Sequence, residues 1–160
     1  MKIYEAIKKD HEIQRDLCDK IVKTSGNSEE RKELWNKLRR ELEVHAVAEE
    51  RFFYSPLIKT DEMQEDARHG MAEHHEMDEL IHELEETDMS SPHWLATMEK
   101  LVEQVEHHLE DEEEEFFKKA KEVYSEKEAQ DLARNYENIM QDYRKSWPES
   151  IPGNDGKGEV

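Results

Sequence analysis

The sequence predicts an all-α fold: an up-down-up-down four-helix bundle with an additional C-terminal helix. Three observations carry that prediction. Apolar residues recur at steps of three and four over long stretches, the signature of amphipathic helices. Only five glycines and four prolines interrupt 160 residues, and few breakers mean long helices. The apolar fraction is 34% against 41% charged. That is thin for a compact core, yet it suits slender helices that each need one apolar stripe.

Residues 1–124 are expected to form the bundle, 125–147 a helix packed on it, and 148–160 a mobile tail. The first helix spans 3–24, with Ile3, Ile7, His11, Leu17, Cys18 and Ile21 on one face. Cys18 reads as a small core residue. A turn from Thr24 to Ser28 comes next, and Ser28 is placed to N-cap the second helix. That helix runs from about 29 to 55 through Leu34, Trp35, Leu38, Leu42, His45, Glu49 and Phe53, until Pro56 ends or kinks it. The third begins at Thr60-Asp61 and runs to about Glu86, with Met63, Ala67, Met71, His74, Met77, Leu80, Ile81 and Leu84 inward. In the next loop Ser91 is the N-cap and Pro92 takes the first helical position. The fourth helix, 92 to about 122, carries His108 and Glu112. A fifth, about 126–147, presents Ala129, Leu132, Ala133, Tyr136, Ile139, Met140 and Tyr143.

Two runs concentrate the chemistry: His45-Ala-Val-Ala-Glu49 and His108-Leu-Glu-Asp-Glu112. A histidine and a glutamate four residues apart stack on one helix face, so both reach one interior point. With nine histidines and 42 acidic residues, chance alone produces some such pairs on a surface. Two features set these apart. Stepping back from His45 meets Leu42, Leu38 and Leu34, and from His108 meets Val105, Leu101 and Met98, the stripe of a core-facing helix. The same steps from His107 reach Gln104 and Glu103, a wet face. His69, His75, His82 and His93 likewise read as solvated.

The second feature is internal repetition. His45 follows His11 by 34 residues and His108 follows His74 by 34, setting the two halves 63 residues apart. In that register His11 meets His74, Leu17 meets Leu80, Cys18 meets Ile81 and Ile21 meets Leu84. Leu38 meets Leu101, Leu42 meets Val105, His45 meets His108, Glu49 meets Glu112, Phe53 meets Phe116 and Tyr54 meets Phe117. Two helical hairpins related by an approximate twofold are predicted, each delivering two histidines and one carboxylate. His11, His45, Glu49, His74, His108 and Glu112 are therefore the candidate metal ligands.

Bundle cores are natural places for dinuclear sites. Four imidazoles and two carboxylates fit a pair of irons, with the carboxylates bridging. Six converging ligands exceed one tetrahedral zinc site, and calcium or magnesium would not select four histidines. The Glu-x-x-His pattern of ferritin-like di-iron bundles is disfavoured, because Leu42 and Val105 stand where its glutamates belong.

The motifs Lys9-Asp10-His11, His45-x-x-x-Glu49-Glu50 with Phe53-Tyr54, Glu73-His74, and His108-x-x-x-Glu112-Glu113 with Phe116-Phe117 resemble the hemerythrin-like family of histidine-histidine-glutamate cation-binding domains. The likeness covers about residues 3 to 120. It implies a non-haem di-iron centre, two irons per chain, at the six residues named above. One departure stands out. Oxygen-carrying hemerythrins use a fifth histidine one turn from the third-helix ligand, and here those positions are Gly70 and Asp78. Water or Asp78 is expected in its place, which leaves room for an exogenous ligand.

The net charge of -19 repels nucleic acid and anionic membranes, so neither is an expected partner. The lone Cys18 cannot form an internal disulfide and fits a reducing compartment. Met1-Lys2-Ile3-Tyr4-Glu5 lacks an apolar signal core, and no 18 apolar residues run together, so a soluble, cytoplasmic protein is expected. The leading functional expectation is a di-iron protein binding dioxygen or a related small diatomic or peroxide ligand, for storage or sensing. The alternative is an enzyme acting on peroxide or nitric oxide, or repairing damaged iron centres. A metal-free helical interaction module is the third reading; it predicts that replacing His45 and His108 by leucine changes little.

Overall fold

A computed structural model describes residues 1–147 of the chain; the expected tail, 148–160, lies outside the described residues. The elements in order are α1 (Ile3–Ile21), α2 (Glu29–Glu49), the π-helical turn π1 (Glu50–Tyr54), α3 (Ser55–Leu57), α4 (Gln64–Glu85), α5 (Pro92–Asp111), π2 (Glu112–Phe116), α6 (Phe117–Val123) and α7 (Glu126–Ser146). No strand occurs among the described residues. The all-α bundle with an extra C-terminal helix is thus what forms. α1 pairs with α2, α4 pairs with α5, and α7 packs against α1 and α2.

Local chemistry explains the boundaries. α1 stops at Ile21, three residues short of the expected end. The Lys23 and Thr24 N–H groups turn back onto the carbonyls of Lys20 and Ile21, and Gly26 takes φ +60, a conformation that suits glycine. Buried Arg31 then gathers the loose carbonyls: its guanidinium donates to Thr24 O at 2.6 Å, Gly26 O at 2.9 Å and Met89 O at 2.8 Å. It thereby ties two loops at one end of the bundle. Ser28 and Ser91 cap α2 and α5 as expected, accepting from the N–H groups of Arg31 and Trp94. α4 begins at Gln64 rather than at Thr60, because the Thr60 hydroxyl takes the Met63 N–H. Ser125 and Glu128 form a capping box at the start of α7.

The second and fourth helices are interrupted, where periodicity alone predicts continuous ones. In each, a π turn starts at the inward glutamate, one residue past Glu49 in the first and on Glu112 itself in the second: Ser55 N–H reaches back to Glu50 O, and Phe117 N–H to Glu112 O, five residues rather than four. Such a turn adds one residue to the helical repeat and rotates every side chain beyond it. Phe53 and Tyr54 therefore both face inward, as do Phe116 and Phe117. Helical turns carry on past Pro56 to Leu57, where the chain leaves the helix.

Burial divides into two apolar clusters. One holds Ile3, Ile7, Val44, Phe53, Tyr54, Phe116 and Phe117 with the inner face of α7. The other holds Leu17, Ile21, Trp35, Leu38, Ile81, Trp94, Met98 and Leu101. Along every bundle helix the histidine lies where one cluster gives way to the other. A polar layer is consequently sandwiched between two hydrophobic ends.

Candidate metal centre

His11, His45, His74 and His108 come from α1, α2, α4 and α5, and all four are buried together with Glu49 and Glu112. His11, His45, Glu49 and Glu112 each place a ligand atom within 4.8 Å of the others, and Glu49, His74 and His108 do the same. Glu49 belongs to both groups. His11 Nε2 lies 3.0 Å from Glu112 Oε1, His74 Nε2 lies 3.1 Å from Glu49 Oε1, and His45 Nε2 lies 3.4 Å from that same oxygen. The four Nε2 atoms, both oxygens of Glu49 and Oε1 of Glu112 have no hydrogen-bond partner. Each buried polar atom left so costs about 1–3 kcal/mol. A cation in each of the two groups would satisfy them, and imidazole with carboxylate is a donor set for first-row transition metals.

The imidazoles face inward because their other nitrogens are held from outside. His11 Nδ1 lies 2.7 Å from Glu113 Oε2, His45 Nδ1 2.5 Å from the Tyr136 hydroxyl, His74 Nδ1 2.8 Å from Glu50 Oε2, and His108 Nδ1 2.6 Å from Glu73 Oε1. A partner that accepts from Nδ1–H fixes the tautomer with the Nε2 lone pair toward the centre. This outer layer keeps the repeat register: Glu50 matches Glu113, and Asp10 matches Glu73. The halves also trade support, since Glu113 of the second hairpin holds His11 of the first, while Glu50 of the first holds His74 of the second. Asp10 is one methylene shorter than Glu73, and Tyr136 of α7 closes the gap. Its hydroxyl donates to Asp10 Oδ2 at 2.6 Å and accepts from His45. Arg144 steadies the assembly, reaching Asp10 Oδ1 at 2.9 Å and Glu41 Oε1 at 2.7 Å.

The symmetry breaks at a second pair as well. Phe117 stacks on His11 with ring centroids 6.3 Å apart, whereas its counterpart Tyr54 stacks on His74 at 5.5 Å. Gly70 permits the closer approach. A Cβ there would lie 2.7 Å from the Tyr54 ring, and the matching residue in the first hairpin is Ile7. The Tyr54 hydroxyl then donates to Glu112 Oε2. Glu112 is thus tethered on one side, while both oxygens of Glu49 stay free for the centre. Tyr54, not Asp78, fills the space beside Gly70. Asp78 is half-buried, lies 3.6 Å from His82 Nε2, and belongs to neither interior group.

Electrostatics follow from packing four imidazoles around two carboxylates. Burial disfavours the His11 imidazolium, but the Glu112 and Glu113 carboxylates outweigh it and raise His11 to about 9. Glu49 and Glu50 likewise overcome burial and raise His74 to about 10. Burial pushes the Glu49 carboxyl up, yet His45 and His74 hold it well below the usual range. Glu112 is raised, by burial and by the charge of Glu49. Burial also works against ionised Glu113, but His11 and Arg15 bring it down to about 2. Positive charge is wanted at this centre, and protons and metal ions compete to supply it.

A cavity of about 450 Å³ leads to the layer between α2 and α4, lined by His45, His74, His108, Gln14, Met71 and Met77 among others. Gln14 is buried and its Nε2 has no partner. His69, His75, His82, His93 and His107 are exposed. Cys18 is buried away from the layer among Leu17, Ile21 and Trp94, and burial pushes its thiol up to about 12.

Periodicity and the internal repeat assign no role to Asp10, Glu50, Glu73 or Glu113, although each directly precedes a candidate ligand histidine or follows a candidate ligand glutamate. Nor do they assign one to Tyr54, the single hydroxyl among the paired register positions. Tyr136 and Gln14 carry no local signal beyond their place on an apolar face.

Three comparisons bear on kinship. No curated protein matches the chain. A crystal structure of a hemerythrin HHE cation binding domain-containing protein from Mycobacterium kansasii superposes with a TM-score of 0.81 at 26% identity, covering 91% of this chain and 89% of that one. The family model of the hemerythrin HHE cation binding domain matches residues 2–120, the span that supplies all six inward candidate ligands and every outer partner except those on α7. The chain belongs to the hemerythrin HHE cation binding domain family.

Proposed function

We propose that the chain holds two iron ions at His11, His45, Glu49, His74, His108 and Glu112, and binds dioxygen or a related small oxidant there for storage or sensing in the cytoplasm. The observation that carries this reading is the inward set of unpartnered Nε2 and carboxylate atoms, each imidazole locked by an outer acceptor. Two groups sharing Glu49 support a pair of ions bridged by that carboxylate. Iron supplies reversible redox chemistry and affinity for diatomic ligands. The chain supplies the rest. Met71, Met77 and Ile81 give part of the cavity wall an apolar face, along which a small neutral molecule can approach the layer. The Gln14 amide is a free donor toward that space. α7 belongs to this unit in our reading, through Tyr136 and Arg144, rather than serving as a separate cover.

Adding two equivalents of ferrous iron anaerobically, then exposing the protein to air, tests the proposal. Charge-transfer absorption and retention of two irons per chain are expected. Protein that retains no iron, or shows no such bands once loaded, refutes it.

One observation favours the alternative of catalysis on peroxide or nitric oxide. Tyr54 keeps a hydroxyl proton against Glu112, within the site and beyond the ligands. Steady-state peroxide turnover that falls in Tyr54→Phe without loss of iron selects that reading. Buried Cys18 offers no thiol route for repair of iron centres.

A further inference from the structure

In the groove between α4 and α5, apart from the large cavity between α2 and α4, lies a second constellation. We propose that His69, Glu73 and Asp111 form an outer site for a first-row divalent cation, from which the ion passes inward to the buried layer. These three residues place one ligand atom each within 4.8 Å of one another. They reach the site from two facing helices, His69 and Glu73 one turn apart on α4, and Asp111 on α5 one turn beyond His107. His69 Nε2 is 3.2 Å from Glu73 Oε2, and His107 Nε2 approaches that oxygen at 3.7 Å. No Lys or Arg pairs with His69, Glu73 or Asp111 among the described residues. Imidazole with two carboxylates, and a second imidazole in reach, selects metals of the zinc, cobalt or ferrous class over calcium or magnesium.

Glu73 makes the arrangement more than a surface cluster. It is only 6% exposed, and its two oxygens face different ways. Oε1 holds the buried His108 at 2.6 Å, while Oε2 faces the outer histidines. One carboxylate therefore joins the outer site to an interior ligand. A small cavity of about 50 Å³ runs alongside, lined by His69, Glu73 and Asp111 outside and by Tyr54, His108 and Glu112 within. Lys119 stands at its rim, but its charge is answered by Asp66 at 3.2 Å. With Glu115 also lining the cavity, the mouth is net negative and draws cations.

The binding site stands on its own geometry, whereas its role in uptake rests on the interior reading proposed above. The test compares the parent protein with His69→Ala/Asp111→Ala, whose altered side chains do not touch the interior layer. His75→Ala, at the rim of the large cavity, is the control. Cobalt(II) is added after the interior has been loaded with ferrous iron, and retained metal is counted along with the visible spectrum. The parent and the control are expected to hold one more cobalt per chain than the double variant, whose affinity at that site falls about tenfold or more. Equal cobalt in parent and double variant, with equal melting temperatures, overturns the site. Interior loading at limiting iron should slow severalfold in the double variant and reach the same endpoint. Cobalt lost with loading unchanged keeps the site and overturns its part in uptake. Should the interior take up no iron at all, the cobalt difference still reports on the outer site alone.

Discussion

Replacing Tyr136 by phenylalanine removes one oxygen atom from the outer layer and leaves the helix otherwise intact. That oxygen does two things: it donates to Asp10 Oδ2 at 2.6 Å and accepts from His45 Nδ1 at 2.5 Å. Both partners are buried, so neither regains a bond from bulk water. An unsatisfied buried group costs about 1–3 kcal/mol, and two are created, giving roughly 2–6 kcal/mol. Arg144 still holds Asp10 at 2.9 Å, which favours the lower half of that range. Loss of an outer partner to a metal-bound histidine typically weakens metal affinity about 10- to 100-fold. The assay pairs denaturant unfolding of metal-free protein with cobalt affinity measured against a competing chelator. Tyr143→Phe serves as the comparison, because that buried tyrosine lies on the same helix and its hydroxyl makes only a 3.4 Å contact with Arg51. Expected is a clear loss of both stability and affinity in Tyr136→Phe and little change in Tyr143→Phe. If Tyr136→Phe unfolds and binds like the parent, the bridge between Asp10 and His45 has no energetic weight and the reasoning is wrong.

Gly70→Ala sets a helix-propensity gain of about 1 kcal/mol against a Cβ placed 2.7 Å from the Tyr54 ring. Overpacking of this kind costs about 1–3 kcal/mol, so net destabilisation and a disturbed Tyr54 environment are expected by thermal melting and tyrosine fluorescence. For pH, His11 and His74 rise from 6.5 to about 9 and about 10 in the folded chain. Their contribution to metal-free stability is therefore complete below 6.5 and lost as pH climbs through those values. Cation binding must expel the same protons, so cobalt affinity should climb across that window by about tenfold per pH unit for each proton released. A flat affinity profile would rule out proton competition. Arg31→Leu strips three loop carbonyls of their donor, and a loss of about 2–4 kcal/mol is expected in chemical denaturation.

Much of this was legible in the chain because both the core stripe and the ligands obey one periodicity. His45 and His108 announce themselves by the leucine, valine and methionine steps behind them, and the offset of 63 then selects His11 and His74 from nine histidines. The features that escaped did so for physical causes. The π turns lack a composition signature; they are seen only in Phe53 with Tyr54, and Phe116 with Phe117, where both neighbours turn inward. The outer acceptors sit beside the ligands in sequence, yet Glu113 acts on His11 across the bundle, a contact no local pattern encodes. Tyr136 lies 126 residues from Asp10, and only packing brings them together. Gly70 reads as a mild helix breaker until the Tyr54 ring is seen above it.

The traded carboxylates carry a consequence for how such a chain could have arisen. A lone hairpin brings two imidazoles and an inward glutamate, but the acidic residue that aims its first imidazole belongs to the other hairpin. A half-length ancestor would have finished its site only by pairing with a copy of itself, each copy steering its twin. Joining the two copies in one chain would free them to diverge. Tyrosine over glycine on one side, and a borrowed C-terminal phenol on the other, are asymmetries that such freedom would permit.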